Sequence, residues 1–248
     1  MGAASQQLEQ LSETCSHCSL NYLCLPYGLS QDDVSELERL VSPGTPVAMN
    51  AELFGQGDTL TDLYAIRDGS MKTVVVDEDG LEQILGFYYP GDLLGLDGFA
   101  DQHHHCTAVA LESTRVCRIP VDRLDRLVDK LPSLRHQIMR LMSQALSDEE
   151  RLLLTLGRKN SEGRISSLLL TLSRRREMRG LDPSPVSLSM KRSELANFLS
   201  MRLETVSRVL TRLQRDGVIR VRQSRVDILD REALRSRSSR GAWAADQS

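Results

Sequence analysis

Between about Leu29 and Pro132 the chain carries short apolar or alternating runs that end at turn residues. One run, Leu63–Arg67, ends at an Asp-Gly pair, and another, Thr73–Val76, is followed by a second Asp-Gly pair within a few residues. Alternation with a period of two, interrupted by Asp-Gly and Pro-Gly turns, is typical of strands. Several such runs in succession predict an all-β barrel or sandwich over residues 29–131.

After Pro132 the spacing of the apolar side chains changes to alternating steps of three and four. Such a heptad pattern places its members on one stripe of a helix, and Pro132 suits the first helical turn while Gly157 suits a stop. We predict a long helix over residues 132–158 that pairs with its copy in a homodimer; the alternative is an amphipathic helix lying on its own barrel. The stripe consists of Met139, Met142, Leu146, Glu149, Leu153 and Leu156.

Glu149 is the one charged member of this stripe. In a symmetric pair of helices its carboxylate faces the same group of the second copy, and two like charges held close together destabilise the pair. The pattern indicates a weak dimer whose association a second signal can shift, unless the side chain extends out to solvent.

The segments Lys191–Ser200 and Met201–Arg215 have the spacing of two helices separated by a tight break. Glu204, Ser207 and Arg208 share one face near the start of the second, where a recognition helix meets base edges in the major groove. Arginine can donate two hydrogen bonds to guanine, glutamate accepts from cytosine, and serine suits either kind of edge. The predicted buried stripe of the second helix is Leu203, Val206, Val209, Leu210 and Leu213.

The charge distribution points to the same C-terminal part. The formal net charge of the chain is −3, but residues 1–150 carry 10 basic against 24 acidic side chains, a net −14, and residues 151–248 carry 21 against 10, a net +11. A basic module joined to an acidic body is typical of a polyanion-binding part on a sensor. Residues 218–228 add the pattern of a β-hairpin wing whose arginines suit phosphate contact. Double-stranded DNA is therefore the predicted partner.

Other classes of protein are disfavoured. No basic segment followed by an apolar run marks a secretory signal, and no apolar run approaches the roughly 20 residues of a membrane helix, so we expect a cytoplasmic protein with no membrane partner. No Ser-His-Asp arrangement, phosphate-cradling glycine loop or carboxylate pair is legible, so we do not expect an enzyme. Residues 235–248 are rich in Ser, Arg, Gly and Ala, and we expect this tail to be disordered.

Three of the five cysteines, Cys15, Cys18 and Cys24, lie close together in a segment without regular periodicity. In a reducing compartment such a group indicates metal binding rather than disulfides. A complete site needs a fourth ligand, and spacing alone chooses neither that ligand nor between zinc and an iron–sulfur centre, although the five-residue gap fits the usual zinc spacing poorly. The candidates for the fourth ligand are Cys117, Cys106, His17 and the run His103–His105.

Five stretches resemble the CRP/FNR family of bacterial regulators, and most closely its FNR (fumarate and nitrate reductase regulator) and Anr branch. The resemblance implies an α+β fold with four parts. A cluster-binding segment (1–28) precedes a cyclic-nucleotide-binding-type β-barrel, or jelly roll (29–131), and the long dimerisation helix (132–158) precedes a winged helix-turn-helix domain (159–234). The stretches are Cys15–Pro26, Leu63–Gly69, Pro90–Gly95, Met139–Ser143 and Glu204–Arg208.

The resemblance also implies a function: an oxygen-responsive transcription activator that binds DNA as a dimer at low oxygen and is inactivated when oxygen degrades its [4Fe–4S] cluster. Val116–Pro120 matches the family segment that supplies the fourth ligand. By the same match, Glu204, Ser207 and Arg208 recognise palindromic TTGAT-type half-sites, and RNA polymerase is a further partner. The implied cluster ligands are Cys15, Cys18, Cys24 and Cys117.

Two residues depart from the family pattern. Arg202 stands where FNR relatives usually carry a hydroxyl residue that caps the recognition helix, and Leu81 replaces an acidic residue often found at an RNA polymerase contact.

A cyclic-nucleotide sensor needs a guanidinium for the phosphate, but no arginine lies between Arg67 and Arg115. The phosphate-binding arginine of the family would align near Cys106. Haem-based nitric-oxide sensors of the superfamily lack this cysteine set. A regulator that holds zinc or another effector and no oxygen-sensing cluster remains the alternative.

Overall fold

The computed structural model describes residues 15–44, 46–239 and 241, and the chain divides into two compact units, Met1–Gln144 and Ala145–Ser248. The first unit contains two antiparallel four-stranded sheets, with strand orders β1-β8-β3-β6 and β2-β7-β4-β5. Their strands are β1 (Ser42–Pro43), β2 (Glu52–Phe54), β3 (Asp62–Asp68), β4 (Met71–Val76), β5 (Glu82–Tyr88), β6 (Leu93–Leu94), β7 (Thr107–Ala110) and β8 (Arg115–Pro120). The predicted α+β class with an N-terminal β-domain is confirmed.

Strand β3 is buried on both faces, because side chains alternate across a strand and each face meets a different core. Tyr64 and Ile66 belong to a hydrophobic core between the two sheets. Leu63 and Ala65 belong to a second core on the other side of the first sheet. The helices that contribute to this second core are α1 (Gln31–Glu38), α2 (Val121–Lys130) and the first half of α3 (Pro132–Arg158), together with the loop before α1.

Helix α3 is continuous over 27 residues, and Gly157 does not end it. Leu134 faces the second core and is fully buried, whereas Met139, Met142, Leu146 and Leu153 are exposed. The helix therefore has one stripe that packs against the second core and another that is exposed among the described residues. None of the described helices combines the length and the apolarity needed to cross a bilayer.

The second unit has the order of elements expected of a winged helix-turn-helix. Strands β9, β10 and β11 form an antiparallel sheet in the order β10-β11-β9. The elements are α4 (Ser161–Met178), β9 (Pro185–Ser187), α5 (Arg192–Phe198), α6 (Leu203–Arg215), β10 (Ile219–Arg222), β11 (Arg225–Ile228) and α7 (Arg231–Ser238). Helix α6 follows α5 after a short turn, and β10 and β11 form the hairpin wing.

The prediction of a disordered tail from Arg235 is wrong for its first residues, because helix α7 continues to Ser238. Leu234 is fully buried, and the side chain of Asp230 caps the helix by accepting a hydrogen bond from the amide of Ala233 at 2.8 Å. The buried apolar residue and the cap both stabilise these two helical turns, although the composition is polar. Residues 240 and 242–248 of the predicted tail lie outside the described residues.

Candidate cysteine site and nucleic-acid interface

The loop Cys15–Tyr27 is a succession of tight turns closed by backbone hydrogen bonds. The amide of Cys18 donates to the carbonyl of Cys15 at 3.3 Å, and the amide of Cys24 donates to the carbonyl of Leu20 at 3.1 Å. Leu25 is buried in the second core and anchors the end of the loop there. Apolar anchors and backbone bonds therefore shape the loop, and its three thiols are left for another role.

The fourth cysteine of the site comes from strand β8. Cys117 lies opposite Ala65 of β3 in the sheet. Its neighbour Val116 belongs to the core between the sheets, whereas Cys117 and Ile119 pack against the second core. Strand alternation thus points the Cys117 side chain to the face of the sheet on which the loop lies.

A cavity of about 500 Å³, including its open mouth, lies between the loop and the sheet, and Cys15, Cys18, Cys24 and Cys117 all line it. Arg67 is the one charged residue of the lining, which is otherwise mostly apolar. Within the described part of the chain, no three thiol, imidazole or carboxylate groups converge as ligands of a single metal ion. The structure thus brings the four thiols to one cavity.

The thiols of this site do not ionise readily by themselves. The pKa of Cys24 is raised to about 12, first by burial, against a backbone hydrogen bond at Leu25, and then by the charges of the other three cysteines. The pKa of Cys15 is also raised to about 12, mainly by burial and then by neighbouring negative charges, while Arg67 opposes the shift. Thiolates here need a cationic centre to offset their burial and mutual repulsion, which is the condition under which cysteines bind metals.

The other candidate ligands lie elsewhere. Cys106 is buried in the core between the sheets and its thiol donates to Asp97 at 3.4 Å, and burial raises the pKa of that thiol. His17 and the run His103–His105 are not part of the cavity lining. Spacing in the sequence does not distinguish Cys106 from Cys117 as the fourth thiol of the cavity. The structure does, because Cys117 lines the cavity and Cys106 lies in the core between the sheets.

Helix α6 presents the predicted DNA-contacting residues to solvent. Glu204, Ser207 and Arg208 are all exposed, and Val206 and Val209 are buried on the opposite side. Glu204 and Arg208 do not form an ion pair among the described residues, since Arg208 donates to the hydroxyl of Thr205 at 3.3 Å instead. Their polar groups are therefore available on one surface of the helix.

Two details of α6 concern its first turn. Arg202 is the N-cap residue, and its side chain makes no capping hydrogen bond. The recognition helix thus begins without the hydroxyl cap that FNR relatives usually have. The prediction that Leu203 is buried is wrong, since the residue is 44% exposed. Leu203 is the first residue of the helix, and the buried face starts one turn later, at Val206.

Two family models match the chain: a Crp-like helix-turn-helix domain over residues 163–237 and a cyclic nucleotide-binding domain over residues 45–130. Transcriptional activator protein FnrA of Stutzerimonas stutzeri is 42% identical over 216 residues, which is 87% of this chain and 88% of FnrA. The fumarate and nitrate reduction regulatory protein of Escherichia coli K12 is 39% identical over 220 residues, 89% of this chain and 88% of that protein. The chain belongs to the FNR/Anr branch of the CRP/FNR family.

The resemblance seen in the sequence is thus confirmed, and this member of the CRP/FNR family is a DNA-binding transcription regulator rather than an enzyme. Among solved structures, FixK2 from Bradyrhizobium japonicum matches with a TM-score of 0.74 at 24% identity, covering 82% of this chain and 99% of FixK2. CLP of Xanthomonas campestris, described as a c-di-GMP responsive regulator, matches with a TM-score of 0.63 at 23% identity, covering 80% and 97%. At these identities the likeness shows the fold alone.

Arg164 of the regulator holds the turn of the helix-turn-helix in place, a role with no signal in the sequence pattern. Its guanidinium donates to the carbonyls of Leu199 at 2.9 Å and Ser200 at 3.1 Å, on the turn between α5 and α6. It also donates to the carbonyl of Leu156 at 2.7 Å. Ser200 adopts a left-handed conformation with φ of 50°, so these bonds fix a strained turn on which the direction of α6 depends.

Arg237, in the stretch predicted to be disordered, joins three elements of the DNA-binding unit. Its guanidinium lies 2.9 Å from the buried carboxylate of Glu162 at the start of α4, and 2.9 Å from Asp216 at the end of α6. Arg212 of α6 lies 3.5 Å from the same Glu162. Arg237 therefore links helix α7 to the end of the recognition helix and to the start of α4.

We expect Arg237→Ala to lower the free energy of unfolding by about 3 kcal/mol, because Glu162 loses its closest partner while its carboxylate stays buried. Urea denaturation of the full chain measures this change. Arg235→Ala is the matched control, since Arg235 pairs with Glu232 on the surface of the same helix and its loss is expected to cost less than about 1 kcal/mol. Equal losses in the two variants would contradict the supporting role of Arg237.

Proposed function

We propose that this regulator senses oxygen through a [4Fe–4S] cluster on Cys15, Cys18, Cys24 and Cys117, binding palindromic TTGAT-type sites as a dimer at low oxygen and losing that activity in air. The observation that carries the proposal is the arrangement of four cysteines, and no other thiol, around one cavity. The names of its relatives support the transcriptional part of the proposal.

The donor set of the cavity fits such a cluster. Four cysteine thiolates are the usual ligands of a [4Fe–4S] cluster, whereas one zinc ion would draw its ligands to about 2.3 Å from a single centre. All four thiols line one cavity, which offers a cluster the four thiolate ligands that it needs. When bound, the cluster supplies a centre that oxygen can oxidise. The guanidinium of Arg67 would partly offset the negative charge of the four thiolates.

The proposed dimer forms along the exposed stripe of α3. Met139, Met142, Leu146 and Leu153 are exposed, and a continuous row of such side chains is stabilised by pairing with a second helix. Glu149 lies in the same row, is exposed, and has no ion-pair partner among the described residues. Two copies of Glu149 would repel each other, which keeps the dimer weak enough to depend on the N-terminal site.

The dimer would place two copies of α6 on one palindrome. A two-fold symmetric protein matches a two-fold symmetric sequence, with one recognition helix in the major groove of each half-site. We assign base contacts to Glu204, Ser207 and Arg208, and phosphate contacts to the exposed wing arginines Arg220 and Arg222. A monomer makes half of these contacts, so separation of the dimer is sufficient to release DNA.

The hairpin between β4 and β5 is the proposed contact with RNA polymerase. Its turn is tight, since the amides of Asp79 and Leu81 both donate to the side chain of Asp77, at 3.0 and 2.9 Å. Leu81 is 67% exposed at the tip, beside three acidic residues. The assignment of this hairpin rests on the family resemblance, and its exposed residues Asp77, Glu78 and Asp79 offer acidic groups to a protein partner.

A cyclic nucleotide is not the proposed effector. At the position near which the family's phosphate-binding arginine aligns, Cys106 donates to the carboxylate of Asp97. His104 is buried beside it and stacks on Phe54 with ring centroids 3.7 Å apart. A filled interior that holds a carboxylate disfavours a buried phosphate.

Spectroscopy of protein purified without oxygen tests the proposal. We expect a brown protein with about four irons per chain, whose visible absorption fades in air together with its affinity for a TTGAT palindrome. Protein kept under nitrogen for the same time is the control. A colourless protein with one zinc per chain would contradict the proposal and would support the zinc-containing alternative.

A further inference from the structure

The amide side chain of Gln137, on helix α3, reaches a backbone atom of one cysteine of the loop. Gln137 is 3% exposed, and its Nε2 donates to the carbonyl oxygen of Cys24 at 2.9 Å. Leu25, which follows Cys24, and Leu134, one helical turn before Gln137, both belong to the second core. A buried amide is stabilising only when it is hydrogen-bonded, so this bond holds the loop to one position along the helix.

The other end of the same amide is also used. The Oε1 of Gln137 accepts a hydrogen bond from the Nε of Arg140 at 2.8 Å, one turn further along α3. The guanidinium carbon of Arg140 then lies 4.6 Å from the ring centroid of Tyr27, a distance at which a cation and an aromatic face attract each other. Gln137 and Arg140 together therefore hold both ends of the turn from Cys24 to Tyr27.

This contact lies beside the exposed stripe of the helix. Met139 is adjacent in sequence to Arg140, and Met142 follows within one turn; their side chains are 63% and 39% exposed. The same helical turns thus carry the loop contact on the side that faces the core and the stripe on the side that faces solvent. A shift of these helical turns would therefore change both the contact with the cysteine loop and the position of the exposed stripe.

We propose that Gln137 and Arg140 are positioning residues that make pairing of α3 depend on the order of the cysteine loop. The inference rests on the proposed function and adds its route: the backbone of ligand Cys24, the amide of Gln137, the guanidinium of Arg140, and then the stripe that begins at Met139. Coupling of this kind is reciprocal. Holding the loop favours the paired form of α3, and pairing of α3 favours the held loop.

A purely structural role for Gln137 makes a different prediction. If the amide only satisfied a buried carbonyl, its loss would disturb the loop and the cysteine site without a specific effect on pairing. The amide of Tyr27 also donates to the Cys24 carbonyl, at 3.2 Å. Removing the Gln137 amide therefore leaves that oxygen with one donor and the loop with its turn.

The test is Gln137→Met, which keeps the length and the apolar stem of the side chain and removes its polar atoms. The matched control is Gln144→Met, the same change at an exposed position of the same helix. Each full-length protein is loaded with iron and sulfide under nitrogen. Visible absorbance per chain then measures cluster content, and sedimentation equilibrium measures the dimer dissociation constant.

We expect Gln137→Met to match the absorbance of the parent while its dimer dissociation constant rises about tenfold, because in the proposed coupling the two Gln137–Cys24 bonds of a dimer favour the paired form over the separate chains. Gln144→Met should match the parent in both. Arg140→Lys, which keeps the charge but loses the planar donor group, should raise the dissociation constant in the same direction, and it decides the question if Gln137→Met does not fold.

Dimerisation equal to the parent in both Gln137→Met and Arg140→Lys would overturn the inference and leave the proposed function intact. Loss of absorbance in step with the loss of dimer would also overturn it, because it would assign both residues to the cysteine site alone. A parent protein that stays colourless after loading would overturn the proposed function, and the inference with it.

Discussion

Cys117→Ser is expected to abolish the visible absorption of the anaerobic protein, whereas Cys106→Ser leaves it at the parent level. Both changes replace one sulfur by oxygen in a cysteine of the β-domain. Only Cys117 lines the cavity that the loop cysteines share, and a serine hydroxyl is a poor substitute for a soft thiolate on iron. Cys106 donates to Asp97, a bond that a serine can also make.

The measurement is absorbance and iron content per chain for the two variants, loaded in parallel with the parent. Far-ultraviolet circular dichroism verifies that each variant is folded. The assignment of ligands fails if Cys106→Ser loses the absorption and Cys117→Ser keeps it. It also fails if both keep it, since three cysteines would then be enough.

Arg208→Ala is expected to produce the largest loss of DNA affinity among the surface variants. A bidentate contact from arginine to guanine is worth about 1–3 kcal/mol, and a dimer makes it twice, so the dissociation constant for a TTGAT palindrome should rise by about a hundredfold or more. The change should also abolish discrimination against a site in which the guanine is replaced, because the residue that distinguishes that base is gone.

The matched control is Arg222→Ala in the wing, where the side chain is also exposed. Loss of a phosphate contact weakens binding to all sequences alike and reduces the dependence of affinity on salt. Binding to the palindrome and to the altered site, each at two salt concentrations, separates the two effects. If Arg208→Ala weakened both sites equally, Arg208 would be a phosphate contact and the assigned base readout would be wrong.

The parts of this fold that could be predicted from the sequence are those that repeat. Short apolar runs that end near Asp-Gly pairs mark β3 and β4. The spacing of Val206, Val209 and Leu213 marks the buried face of the recognition helix, because burial of one face imposes a period. The order of elements in the DNA-binding unit follows from these patterns. Helix α7 was missed because one apolar residue, Leu234, anchors it, and a single residue has no period.

The candidate site was predictable only in part for a similar reason. Three cysteines close together in a loop are visible in the sequence, but the choice of Cys117 over Cys106 depends on which face of a strand each residue occupies. The contacts of Gln137 with Cys24 and of Arg164 with Ser200 join side chains to backbone carbonyls far away in the chain. Such contacts depend on the folded path of the chain and leave no mark on the spacing of residue types.

In the proposed function the cysteine cavity receives the signal, and its placement has a consequence for how such a protein can come to respond to another stimulus. Three of its four cysteines belong to one short loop, and the fourth occupies an outward position of β8, so neither sheet has to be rebuilt to make or remove the site. His104 and Phe54 stack on each other and do not line this cavity. A new stimulus can therefore be acquired by exchanging little more than a terminal loop, provided that the exchanged loop still meets the same turns of α3.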